Sequence, residues 1–150
     1  LIQAVRDDRV DIIATDHAPH TLQEKGQNFW KAPSGLPLVQ HALPMLVDLV
    51  KRGELNLATV VKKTSHAVAD RFGIADRGYI REGYWADLTL INPEAKTTVK
   101  REDVLYKCGW SPVEGSTFPC RVEATWVNGV LAYKDGKVLP KPLGERIQFV

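Results

Sequence analysis

Asp16, His17 and His20 are the residues of this sequence best suited to chemistry, and they stand within one short stretch, Asp16-His17-Ala18-Pro19-His20. A carboxylate such as Asp16 can bind a divalent cation through one oxygen and take a proton from a metal-bound water with the other. A histidine four residues further on can donate hydrogen bonds to an anionic substrate group. A second reading stays open on the residues alone, in which Asp16 caps a turn and both histidines are solvated. One Asp and two His do not amount to a metal site, because catalytic zinc takes about three protein ligands in an open geometry.

The elements that must position this cluster can be read from the pattern around it. Leu1 to Arg9 reads as the end of a helix, and with no starting Met it looks cut from something longer. Val10 to Thr15 (VDIIAT) is a β-branched, apolar run that predicts a strand buried on both faces and ending in the polar cluster. In α/β proteins the C-terminal ends of strands carry chemistry. Thr21 to Gly35 is a polar loop, long enough to suggest a function of its own. Leu36 to Arg52 has apolar residues at helical spacing, with a kink or break expected at Pro44 and a stop at Gly53.

Leu57 to Lys63 and Ser65 to Phe72 predict two short helices, the second ended by Gly73. Beyond about residue 75 the character changes to strands at Ala86–Ile91, Thr97–Lys100, Arg121–Val127 and Val130–Tyr133. Asn128-Gly129 is the clearest hairpin signal, and Asp135-Gly136 marks a further turn. The tail from Pro140 reads as surface chain. The expected fold class is therefore α/β, divided into a β/α part over 1–75 and a small β module over 76–150.

Composition narrows the class of function. The 150 residues are 44% hydrophobic and 25% charged, as in an ordinary globular domain. The net charge of +2 is too balanced to imply nucleic acid or an anionic membrane as partner. No apolar run reaches the ~20 residues of a membrane span. Cys108 and Cys120 form no C-x-x-C pair and read as reduced structural thiols of a cytoplasmic protein, with a disulfide as the weaker alternative.

Ala14-Thr15-Asp16-His17-Ala18-Pro19-His20-Thr21, followed by Glu24-Lys25, closely resembles the signature that ends the last barrel strand of dihydroorotases of the class I type, members of the amidohydrolase superfamily. Ala32-Pro33-Ser34-Gly35 resembles the family's substrate loop, in which a glycine lets the main chain approach a ligand closely. Asp70 to Ile74, Gly78 to Leu88, Ser111 to Gly115 and Val127-Asn128-Gly129 match the passage from barrel to sandwich. The resemblance covers essentially the whole chain. It implies the C-terminal portion of such an enzyme: the last strand–helix units of a metal-dependent-hydrolase TIM barrel, followed by part of a small β-sandwich.

The same resemblance implies roles. Asp16 matches the family's zinc ligand and catalytic acid/base, and His20, Ser34 and Gly35 match its substrate contacts. His17 is read as a supporting or structural residue, and His41 and His66 as surface or packing residues. Related hydantoinases and allantoinases usually lack the second histidine, so His20 favours a substrate with a free carboxylate. The implied activity is the interconversion of N-carbamoyl-L-aspartate and dihydroorotate, with one or two zinc ions and a small-molecule substrate. A homo-oligomer is expected, with aspartate carbamoyltransferase as a further candidate partner. A hydantoinase-like hydrolase and a metal-free structural relative are the alternatives.

The family's zinc site also draws on an H-x-H pair, a carboxylated lysine and two more histidines, and no H-x-H occurs in this sequence. The 150 residues alone are therefore expected to hold no stoichiometric zinc and to be inactive. One departure stands out: many relatives carry Gly-Leu-Glu or Gly-Phe-Glu after the substrate loop, where this chain has Leu38-Val39-Gln40.

Overall fold

The computed structural model describes residues 1–140 and 144–150. Its first half is helical: α1 (Ile2–Arg6), α2 (Leu22–Lys25), α3 (Ala42–Lys51), α4 (Leu57–Val61) and α5 (Ala67–Phe72). Its second half carries β1 (Leu88–Asn92), β2 (Thr97–Thr98), β3 (Thr117–Phe118), β4 (Arg121–Val127), β5 (Val130–Lys134) and β6 (Lys137–Val138). The mixed α/β class expected from the sequence is what the chain adopts.

Three expectations about elements change. Val10 to Thr15 is not a strand, because no ladder partner lies beside it among the described residues. It is held instead by single bonds, such as that from the Ile13 N–H to the Lys63 carbonyl at 3.1 Å. The helix expected from Leu36 starts only at Ala42, which places Pro44 in its first turn. Proline's missing N–H costs nothing there, so the helix has no break to make. The two helices expected over 57–72 are one run, in which α4 passes into α5 through a π turn at Lys62–His66. Asn56 caps its start by accepting the Thr59 N–H at 2.7 Å, and Gly73 ends it in the left-handed conformation.

Helix packing buries Val47, Leu55, Val60 and Ala69, and the β module buries Val99, Phe118, Cys120 and Ala124. The four-stranded antiparallel sheet has the order β1-β4-β5-β6, with β2 and β3 as a separate pair. The predicted hairpin and the predicted further turn both form, joining β4 to β5 and β5 to β6. Asn128 and Gly129 have φ 52° and 77°, and Asp135 and Gly136 have φ 49° and 83°, as primed turns require. The first turn is tied down by Asp87, whose carboxylate accepts the Asn128 N–H at 2.7 Å and pairs with Arg77. The tail is surface chain as expected, exposed over residues 144–150. Residues 141–143 lie outside the described residues, but the last residues turn back onto the end of α5. Val150 donates to the Gly73 carbonyl and Ala75 to that of Gln148, at 2.8 and 2.9 Å.

Candidate active site

Two loops meet at the site. One carries Asp16, His17 and His20, and the other carries Ser34 and Gly35. Ala18 donates to the Leu36 carbonyl at 3.0 Å, within a parallel bridge between His17 and Leu36. Gly35 sits at φ 88°, and a Cβ added there would lie 2.5 Å from the Cβ of Ala18. Both facts demand glycine: the backbone is left-handed and the opposite loop fills the space. Asp16 itself has φ 45°, uncommon for a residue with a side chain, although Asp tolerates it better than most. It is exposed at the point where the chain leaves the extended segment 10–15.

His17 has a structural task. Its Nδ1 accepts the N–H groups of Leu38 and Val39 at 3.1 and 3.3 Å, which fixes the turn leading into α3. This agrees with the supporting role expected for it. His20 is half-buried, and its backbone carbonyl accepts the indole N–H of Trp110 at 2.7 Å. Beyond His20, Thr21 and Glu24 form a capping box on α2. Glu24 is held below the usual carboxylate range first by the Thr21 N–H and hydroxyl, with His20 adding a weaker pull. Ser34 is exposed beside Gly35. The structure therefore brings Gly35 against the Asp16–Ala18 segment, with Ser34 next to it in the chain.

Several supporting residues carry no obvious signal in the sequence. Gln40 donates through Nε2 to the Asp103 carbonyl at 2.8 Å and accepts the Leu105 N–H through Oε1 at 2.9 Å. The Tyr106 hydroxyl accepts the Gln40 N–H at 2.8 Å, and the Tyr106 ring packs against those of His17 and His41. His41 is buried, with Nδ1 3.1 Å from the Ser111 hydroxyl and 3.3 Å from that of Tyr106. It is a packing residue, as one of the two expected readings had it. His66 stacks on Tyr79, with the ring centroids 4.2 Å apart. Lys25, part of the sequence motif but given no role there, donates to the Pro33 and Gly35 carbonyls at 2.6 and 3.1 Å.

Among the described residues, no three His, Cys, Asp or Glu side chains converge as a set able to hold a metal ion. Asp16 offers one carboxylate, and about three protein ligands are needed for catalytic zinc. The donor set of these residues does not by itself fit the metal that the resemblance implies. With its own atoms the site sets an exposed carboxylate, Asp16, in the segment against which Gly35 packs, with the exposed Ser34 beside it.

The chain is similar to known proteins in sequence and in fold. The chain is 38% identical over 143 residues to a dihydroorotase of Halobacterium salinarum, covering 91% of this chain and 34% of that protein. It is 41% identical over 136 residues to a dihydroorotase of Clostridium acetobutylicum, covering 90% and 32%. It superposes on a D-hydantoinase (dihydropyrimidinase) from Thermus sp. with a TM-score of 0.86 at 26% identity, covering 93% and 32%. The chain thus spans about a third of the length of the relatives it matches. The sequence model of the amidohydrolase family matches residues 35–133, from the glycine of the substrate-loop motif to the second strand of the hairpin. That span is well over half of the 150 residues, and this chain belongs to the amidohydrolase family.

Proposed function

We propose that the whole protein is a dihydroorotase, a cyclic amide hydrolase interconverting dihydroorotate and N-carbamoyl-L-aspartate, and that this chain supplies the end of its barrel. The observation that carries this reading is the second histidine of Asp16-His17-Ala18-Pro19-His20, anchored through its carbonyl by Trp110 and set after a loop knitted to Gly35. Dihydroorotate has a free carboxylate, and an imidazole can donate to it. Relatives named dihydroorotase at 38% and 41% identity support the same reading.

In the hydrolytic direction, water adds to the ring carbonyl carbon and the C–N bond of the ring breaks. Asp16 takes the proton from the water and returns it to the leaving nitrogen. Ser34 and Gly35 hold the ring, and His20 holds its carboxylate. Zinc is the metal that the resemblance implies. Asp16 would be one ligand, and these residues do not complete the set. Two unpaired cysteines suit a cytoplasmic setting. No helix among the described residues is long and apolar enough to cross a membrane.

A hydantoinase-like activity is the second reading, favoured by the TM-score of 0.86 to the Thermus protein. The two separate on His20→Ala in the whole enzyme, with kcat/KM measured for dihydroorotate and for dihydrouracil, a ring of the same size without the carboxylate. Losing a hydrogen bond to a charged group costs about 1.5–3 kcal/mol, so the dihydroorotate value should fall roughly 10- to 150-fold while that for dihydrouracil changes little. An equal fall with both substrates would remove the physical basis for preferring dihydroorotate.

A further inference from the structure

We infer that Lys25 is a positioning residue that locks the substrate loop in its binding shape. Its side chain is half-buried, and its ammonium reaches across a ten-residue span to donate to two carbonyls of the opposite loop, Pro33 at 2.6 Å and Gly35 at 3.1 Å. These bonds are charge-assisted, and the two carbonyls flank Ser34. Lys25 is placed for this by the turn before it. Thr21 accepts the Glu24 N–H, Glu24 returns a bond to the Thr21 N–H at 2.7 Å, and α2 ends at Lys25 with its side chain directed to the loop.

The clasp has a consequence for the main chain. No peptide bond here is cis, and in a trans peptide the carbonyl and the following N–H point in opposite directions. Drawing the Pro33 carbonyl to the ammonium therefore turns the Ser34 N–H to the opposite side. That N–H has no partner among the described residues, and Ser34 is exposed. Lys25 thus orients a main-chain donor for a ligand without touching the ligand itself. It also links both substrate contacts mechanically, because α2 follows His20 directly in the chain. The span it closes includes Phe29 and Trp30, which are 85% and 91% exposed, so little packing of its own would hold the loop closed.

The inference rests on reading Ser34 and Gly35 as substrate contacts, and it is tested in the whole enzyme with Lys25→Met, Lys25→Ala and Lys25→Arg. Met keeps the stem and loses the donors. A contact used equally in ground and transition states appears in KM, so Lys25→Met should raise KM about tenfold or more with kcat little changed. Lys25→Arg, which keeps charge and donors, should recover much of the loss. Added ethylammonium should restore Lys25→Ala in part and leave Lys25→Met unaffected. Amide hydrogen exchange over residues 33–36 should quicken in Lys25→Met while exchange in α3 and β4 stays as in wild type.

Exchange needs no knowledge of the substrate. If the wild type prefers a ring without a carboxylate, the dihydroorotase reading fails while the loop measurement still decides the role of Lys25. Unchanged exchange at 33–36 in Lys25→Met overturns the inference. So does a fall in kcat accompanied by a general loss of protection.

Discussion

Asp16 joins an exposed carboxylate to a left-handed backbone at φ 45°. Residues held in sparsely populated backbone regions cost on the order of 1–3 kcal/mol and cluster at functional sites, where surrounding structure enforces them. Here the enforcement is visible in the His17–Leu36 bridge and in the two N–H groups gripping the His17 ring. The conformation belongs to the backbone, so the isosteric Asp16→Asn should keep the loop and lose the proton acceptor. Turnover of the whole enzyme should fall on the order of 10²-fold or more, the usual scale of general acid–base catalysis, with the melting temperature near that of wild type. A variant with normal turnover would move the acid/base role to another residue. Gly35 is bound to this same geometry, since any side chain there meets the Cβ of Ala18.

At the scale of elements, the join between the two halves runs through Gln40 and the 103–111 segment. Gln40 is an amide that both donates to the Asp103 carbonyl and accepts from the Leu105 N–H. Glutamate can only accept when ionised, so Gln40→Glu would lose the bond to Asp103 and set a carboxylate against a carbonyl beside Glu102 and Asp103. The loss of about 0.5–1.5 kcal/mol should lower the melting temperature by a few degrees, at roughly 2–4 °C per kcal/mol for a domain of this size. A Gln40→Glu protein as stable as wild type would mean that this contact carries no weight. The sequence signals show the same division between local and non-local causes. Asn128-Gly129, Asp135-Gly136 and the Gly73 stop were legible because each is set by its own φ. The π turn at Lys62–His66 was not, because it depends on a distant partner: the Lys63 carbonyl accepts Ile13, while the buried Lys63 ammonium pairs with Asp8. Val10–Thr15 misled for the related reason that a strand exists only with a neighbour. At the candidate site, Asp16 and His20 stand out in the sequence through a motif. Tyr106 and Trp110, some 90 residues away in the case of Trp110 and His20, reach the cluster only through tertiary packing.

Across the whole molecule, the ion pairs and buried polar groups give a common direction to its pH dependence. Asp8 is held at about 2, below its ordinary 3.8, by hydrogen bonds from Lys63 and Lys62. Folding lowers the pKa, so the stabilisation is fully present above the unfolded value and is lost as pH falls from about 4 towards 2. His41 acts at a higher pH. Burial pushes its imidazole below the ordinary 6.5, and its neighbours Ser111 and Tyr106 supply hydroxyls and no counter-charge. The unfolded chain then binds a proton that the folded one refuses. Stability is full above 6.5 and begins to fall as pH drops below it, ending at the lower folded value. The melting temperature should therefore decline in two stages on acidification, first from His41 and then from Asp8 and the other depressed carboxylates, Glu94 beside Lys51 and Glu123 beside Arg121. His41→Gln isolates the first stage, because an amide can take bonds from the same hydroxyls but does not titrate. Thermal unfolding of the whole protein between about pH 7.5 and about pH 5, which brackets an unperturbed histidine, should show a slope in wild type that flattens in His41→Gln. An identical slope in both proteins would place the titrating group elsewhere and leave the His41–Ser111–Tyr106 cluster without a part in the acid response.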